Sequence, residues 1–370
     1  MSASGGFGGF GGFGGFGGFG GFGGFGGFGG GTNVTGLGGF LGAGDPGGHD
    51  PATTEGLAIT AEALRHLGGD AAAPAAAAVT PGDKASFARL AVWVRGSLYL
   101  SEFLSRVGWR ADEAGGTRSA VLQIDGKDWV TLGTPAPELL AGQCVLVGAY
   151  AALRSERASE IVSQLGFPTA YFAMILGLHG AEHARTFELI TATQVVAAHT
   201  AMIMKTQLAV RRPDQVDGRM LPLIPTPGHP SFPSAHATEA YAVATVLTKL
   251  IEAWGTLADV GDRVKMLHGL AERIAVNRTV AGVHYPIDSW AGAVLGEAVG
   301  RAVLGRCAQA VAGKPVSYAP ADADFHDHDL RDAERATAAG VTSGDNDLEA
   351  TRSPAFSWLW EQAAAERQGR

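Results

Sequence analysis

From Pro137 to about residue 311 the chain is a succession of helical patterns, near 137–165, 169–180, 183–211, 235–255, 262–280 and 287–311. Helices that follow one another so closely must pack together, because each has an apolar stripe to bury. The chain is therefore predicted to be all-α, a helical bundle. One small β-hairpin is predicted upstream, with Ala120–Ile124 and Lys127–Leu132 joined by Asp125-Gly126, a two-residue turn signal. Thr80-Pro81-Gly82-Asp83 has N-cap and N1 chemistry and opens a predicted helix through about Val107. An earlier helix is predicted over Glu55–Leu67.

The N-terminus obeys a different rule. Residues 5–28 are Gly-Gly-Phe triplets, with Phe at every third position from Phe7 to Phe28. Without proline a collagen-like triple helix is not expected, and glycine raises the entropy cost of any order. The organisation read from the sequence is a disordered tail and linker over 1–54 and a helical domain over 55–312 with its motif core at 137–311. An acidic loop or linker follows over 313–353, then a C-terminal helix over 354–370 whose Trp358 and Trp360 pack on the core. The Phe side chains offer weak aromatic contacts for self-association, which would make the chain an assembly protein.

Composition narrows the partners. A net charge of -8 argues against general nucleic-acid binding, which needs a basic face. Cys144 and Cys307 are too few for a disulfide scaffold and point to a reduced setting. Met1-Ser-Ala-Ser-Gly has no basic or apolar signal region. The most apolar stretches, Leu139–Leu153, Ile190–Met204 and Ile287–Leu304, are shorter than the roughly 20 residues of a spanning helix or are broken by His199, Asp288, Glu297 or Arg301. The expectation is a cytoplasmic protein without a transmembrane segment.

Three segments carry chemistry. In the first, Lys205 and Arg212 are seven apart, which a continuous helix would stack on one face, and Pro213 biases Arg212 out of helical geometry. In the second, Pro230-Ser-Phe-Pro-Ser234-Ala235-His236 reads as a loop entering a helix. Ser234 is its N-cap, and the free N–H groups there attract anions. In the third, Pro286 is suited to the first helical position, which places Asp288 in the first turn beside His284. A bond from Asp288 fixes one imidazole nitrogen and leaves the other as nucleophile or ligand. Arg278 adds a guanidinium that grips oxygens in pairs. Together these groups suit a phosphate-like oxyanion.

Lys205, Arg212-Pro213, Pro233-Ser234, His236, Arg278, His284 and Asp288 resemble, in order and spacing, the signature of the type 2 phosphatidic acid phosphatase and vanadium-dependent haloperoxidase superfamily. The resemblance covers roughly residues 137–311. Ala235 stands where the family usually has Gly, and Asn277 where it often has Ser. A positive φ at 235 would cost alanine about 1 kcal/mol or more.

The resemblance implies a metal-independent phosphoric monoester hydrolase, acid-phosphatase-like, acting on a small phosphorylated substrate. In it, His284 oriented by Asp288 attacks phosphorus to give a phosphohistidine. His236 protonates the leaving oxygen and then activates water. Lys205, Arg212 and Arg278 hold the nonbridging oxygens, with Ser234 and the Ala235 N–H as neutral donors. No cofactor is implied unless the chain is a haloperoxidase, where the same residues would hold vanadate. From a different class, His179-Gly-Ala-Glu182-His183 matches an inverted zinc-protease pattern, and Asp322–Asp332 offers acids and histidines for a loose metal site.

Overall fold

The computed structural model describes residues 51–67, 83–114, 116–311 and 313–367. The Gly-Gly-Phe tail therefore lies outside the described residues. The first helix, α1 (Pro51–Arg65), covers the predicted Glu55–Leu67. The single helix predicted through Val107 is two. Asp83 caps α2 (Lys84–Ala88), its carboxylate accepting the Ser86 N–H at 3.1 Å. The chain is extended at Ala91 before α3 (Val92–Leu104). That break lets Arg95 reach the Leu90 carbonyl and, at 2.6 and 2.9 Å, the buried Glu188 carboxylate.

The pure all-α expectation needs correction, because the fold is mostly helical but contains one five-stranded mixed sheet. β1 (Val107–Ala114), β2 (Thr117–Ile124) and β3 (Lys127–Gly133) form an antiparallel meander. The β2–β3 turn is the predicted Asp125-Gly126, with φ of 52° and 75°, values natural to a tight hairpin. β1 escapes the pattern because Arg110 and Asp112 put charge on one face and Glu113 on the other, as suits an edge strand.

Six further helices build the core: α4 (Pro137–Tyr150), α5 (Arg154–Ser163), α6 (Thr169–Leu176), α7 (Ala184–Leu208), α9 (Ala235–Trp254) and α10 (Val260–Val280). The short α8 (Pro213–Val216) lies between α7 and α9, and α11 (Pro286–Arg306) follows α10. α9 and α11 touch almost backbone to backbone. A Cβ at Gly292 would lie 2.6 Å from Ser234 O, and one at Gly296 would lie 2.5 Å from Thr238 O. This approach sets the N-terminus of α9 against that of α11.

The segment 313–353 is neither a loop nor a linker. It supplies β4 (Val316–Tyr318), parallel to β3, then α12 (Asp327–Arg331), α13 (Ala333–Ala338) and β5 (Val341–Ser343). Its acids tie it to the helices: Asp322 accepts Gln143 Nε2, Asp324 accepts the Tyr150 hydroxyl and Asp327 that of Tyr241, at 2.9–3.0 Å. α14 (Pro354–Ala365) packs Trp358 and Trp360 into the core as expected.

The expectation of no membrane-spanning segment is corrected. The stretch Ala184–Val216 is long and apolar enough to cross a membrane, although most of its apolar window is buried inside the fold. The apolar run begins before Ile190, and α7 at about 1.5 Å per residue reaches about 37 Å against a hydrocarbon core of about 30 Å. His199 does not break it, since its Nδ1 lies 2.8 Å from Val195 O within the helix.

Candidate active site

The three segments converge where α9 and α11 begin. α7 stops at Leu208 and the chain reverses at Ala209, with φ 53°. Lys205 and Arg212 are therefore not stacked on one helix; Arg212 enters in extended geometry from the following loop, as Pro213 requires. Ser234 caps α9, although its Oγ lies 3.4 Å from Ala237 N, and its own N–H donates to Asp288 O at 2.9 Å. That bond joins the second segment to the third. Ala235 is a buried first-turn residue outside the positive-φ set, so alanine carries no backbone strain there.

Asp288 sits in the first turn of α11. Its Oδ2 accepts His284 Nδ1–H at 2.7 Å, the Ser231 hydroxyl at 2.5 Å and Tyr285 N–H at 3.1 Å. The proton on Nδ1 leaves His284 Nε2 with its lone pair. Arg212 donates towards it at 3.3 Å. Burial, then the Arg212 and Lys205 charges, holds the His284 imidazole well below its ordinary range, so it is neutral at pH 7. Burial raises the Asp288 carboxyl to about 6, opposed first by the Ser231 bond, so it is mostly ionised at pH 7.

The cations differ in how much of them is committed. Lys205 donates to Pro230 O and Ser231 O, both at 2.7 Å. Arg212 donates to His229 O at 3.0 Å, Val283 O at 2.6 Å and His229 Nδ1 at 3.1 Å. Arg278 spends only its NH2 group, on Ile161 O and Gln164 Oε1, and its Nε and NH1 are buried without partners among the described residues. Burial lowers Arg278 to about 10, still charged at pH 7. None of the three pairs with a carboxylate within 4.0 Å among the described residues. A buried cation in that state costs several kcal/mol unless an anion joins it.

His236, on the first turn of α9, lies 2.9 Å by Nε2 from Gln164 O. A carbonyl only accepts, so Nε2 carries the proton and Nδ1 is the basic atom. Burial first, then the Arg278 charge, keeps this imidazole neutral. An anion bound beside it would raise its proton affinity.

All eight residues read from the sequence thus lie in one region. Three others were missed. Ser231 stands inside the second segment, but only the fold sets its hydroxyl on Asp288. His229 and Gln164 carry no local signal, because only the fold sets them beside Arg212 and Arg278. The zinc reading does not survive. His183 precedes α7 rather than lying on it, and its Nδ1 accepts His179 N–H at 3.0 Å, so the two rings do not share a helix face. No group of three or more potential ligands gathers among the described residues.

Residues 186–308 match the PAP2 superfamily. Decaprenylphosphoryl-5-phosphoribose phosphatases from two strains of Mycobacterium tuberculosis, CDC 1551 / Oshkosh and ATCC 25618 / H37Rv, are 33% identical over 134 residues, covering 35% of this chain and 68% of each relative. A solved transmembrane PAP2 type phosphatidylglycerolphosphate phosphatase from Bacillus subtilis is 20% identical with a TM-score of 0.34, covering 43% of this chain and 81% of that one. The expectation of a cytoplasmic protein without a membrane segment does not stand, because the stretch containing α7 is long and apolar enough to cross a membrane. Two free cysteines say nothing about such a helix.

Proposed function

The chain belongs to the PAP2 superfamily and its phosphatase relatives indicate a phosphoric ester hydrolase; from that premise we propose a metal-independent phosphomonoesterase that works through a phosphohistidine on His284. One observation carries the reading. The Arg212 and Arg278 guanidiniums and the Lys205 amine are buried without carboxylate partners among the described residues, beside the neutral His284 and His236 imidazoles. Asp288 fixes the His284 Nδ1 proton so that Nε2 keeps its lone pair. That arrangement is poised for an anion and a nucleophilic attack.

In the proposed reaction the phosphate ester displaces Arg212 from His284 Nε2, which attacks phosphorus. The P–O bond to the leaving group breaks, and His236, protonated under the influence of the bound anion, gives its Nδ1 proton to the leaving oxygen. Neutral His236 then takes a proton from water, whose oxygen attacks the phosphohistidine and frees phosphate. Lys205, Arg212 and Arg278 neutralise the nonbridging oxygens, the role a metal would otherwise fill. The Ser234 hydroxyl and the N–H groups at the start of α9 add neutral donors.

Lipid-linked phosphosugars are the first substrate class to try. The relatives' name supports this, as do the exposed side chains of Val162 and Leu165 flanking Gln164 and of Leu221 and Leu223 beside Ala281. The test is phosphate release from a panel of phosphomonoesters by purified protein, with and without orthovanadate. Release that orthovanadate inhibits is expected. Absence of release, together with bromide oxidation by peroxide and vanadate, would overturn it.

A further inference from the structure

We infer that Gln164 is a positioning residue: its neutral amide, matched to Asn277, holds Arg278 in place while leaving the Arg278 charge for the substrate, and its backbone oxygen anchors His236. This rests on the phosphatase reading. Gln164 caps α5 and is fully buried, as is Asn277. Its backbone oxygen accepts His236 Nε2–H at 2.9 Å. Its side-chain oxygen accepts Arg278 NH2 at 3.2 Å and Asn277 Nδ2 at 2.9 Å, and its Nε2 donates to Glu160 at 3.1 Å. Every polar atom of the side chain is therefore used, and one residue sets both the acid/base imidazole and the least committed cation.

The chemistry requires an amide here. A carboxylate at 164 would pair with Arg278 and cancel the charge meant for the phosphate. The same geometry explains Asn277. Its Nδ2 bridges Glu160 at 2.8 Å and Gln164, a task needing two N–H donors, whereas a serine hydroxyl has one. Glu160 is held from outside by Arg273 at 2.7 Å, and Asn277 Oδ1 accepts from Arg157 at 3.3 Å. The charged or titratable groups facing this pair are thus Glu160, Arg157, Arg273, Arg278 and His236.

The test compares Gln164→Glu with Gln164→Leu, using inorganic phosphate as competitor against p-nitrophenyl phosphate across pH. Gln164→Glu is expected to weaken phosphate about tenfold and to move the His236 limb of kcat/KM up by about one pH unit, the scale of one charge interaction. Gln164→Leu should weaken phosphate without moving the limb. Equal losses with unshifted profiles would reduce Gln164 to a packing residue and overturn the inference. Should both variants fail to fold by thermal melting, Asn277→Ser decides: about threefold weaker phosphate supports the pair, some 0.6 kcal/mol, and unchanged affinity refutes it. Wild-type protein that neither binds nor releases phosphate would sink the phosphatase reading itself. Wild-type binding matched by Gln164→Glu would sink only the role of Gln164.

Discussion

Glu239 offers a quantitative check on the charge state of the site. It lies one turn beyond His236 on α9, fully buried, with Oε2 accepting Gln194 Nε2 at 3.0 Å and Oε1 without a partner among the described residues. Burial pushes its carboxyl from 4.5 up to about 8, against the Gln194 bond and the Lys205 charge. A carboxyl raised in this way keeps its proton in the folded state over a range where the unfolded chain has lost it. Stability therefore falls as pH rises from about 4.5 to about 8. At pH 7 the penalty is about 3 kcal/mol, from about 1.4 kcal/mol per unit over the interval from 4.5 to 7. Glu239→Gln keeps the shape and removes the titration. It is expected to stabilise the protein by about 2–3 kcal/mol at pH 7, raising the melting temperature by about 5 °C, and by under about 1 kcal/mol at pH 5. Thermal melts of both proteins from pH 5 to 8 measure this. A variant less stable than wild type at pH 7 would show that Glu239 is ionised as counterion to Lys205, and the account of uncompensated cations would fail.

Other consequences are directly measurable. Gly296→Ala puts a methyl 2.5 Å from Thr238 O and 2.9 Å from Tyr241 Cβ, so denaturant unfolding should show a loss of about 3 kcal/mol or more. Unchanged stability would mean that α9 and α11 are further apart than described. Glu188→Gln strips the ion pair from buried Arg95 and should cost about 3–5 kcal/mol in the same assay. A neutral result would show that water reaches Arg95. Phosphate release should persist in excess chelator, and its loss with recovery on adding a divalent cation would disprove the metal-independent mechanism.

Much of the site was legible because its determinants are local. Pro213 and Pro286 fix the geometry of Arg212 and the start of α11, and the four-residue step from His284 to Asp288 spans one helical turn. Asp125-Gly126 likewise writes a turn into adjacent residues. What stayed hidden depends on distant partners. Gln164 is an unremarkable amide until α5 is set against α9 and α10. Ala209 gives no warning of a left-handed residue, so the spacing alone puts Lys205 and Arg212 on one helix. β4 and β5 are three residues each, too short to show a two-residue period. The spanning length of α7 is hidden in the sequence by His199, whose ring is satisfied within the helix.

The most direct test of the central claim is an alkaline-quench experiment with a radiolabelled phosphomonoester, since phosphohistidine survives alkali. Label is expected on the peptide carrying His284 during turnover, and none should appear in His284→Ala, which should also lose turnover by about a thousandfold or more. Phosphate release at an undiminished rate by His284→Ala, with no labelled histidine in the wild type, would contradict the account.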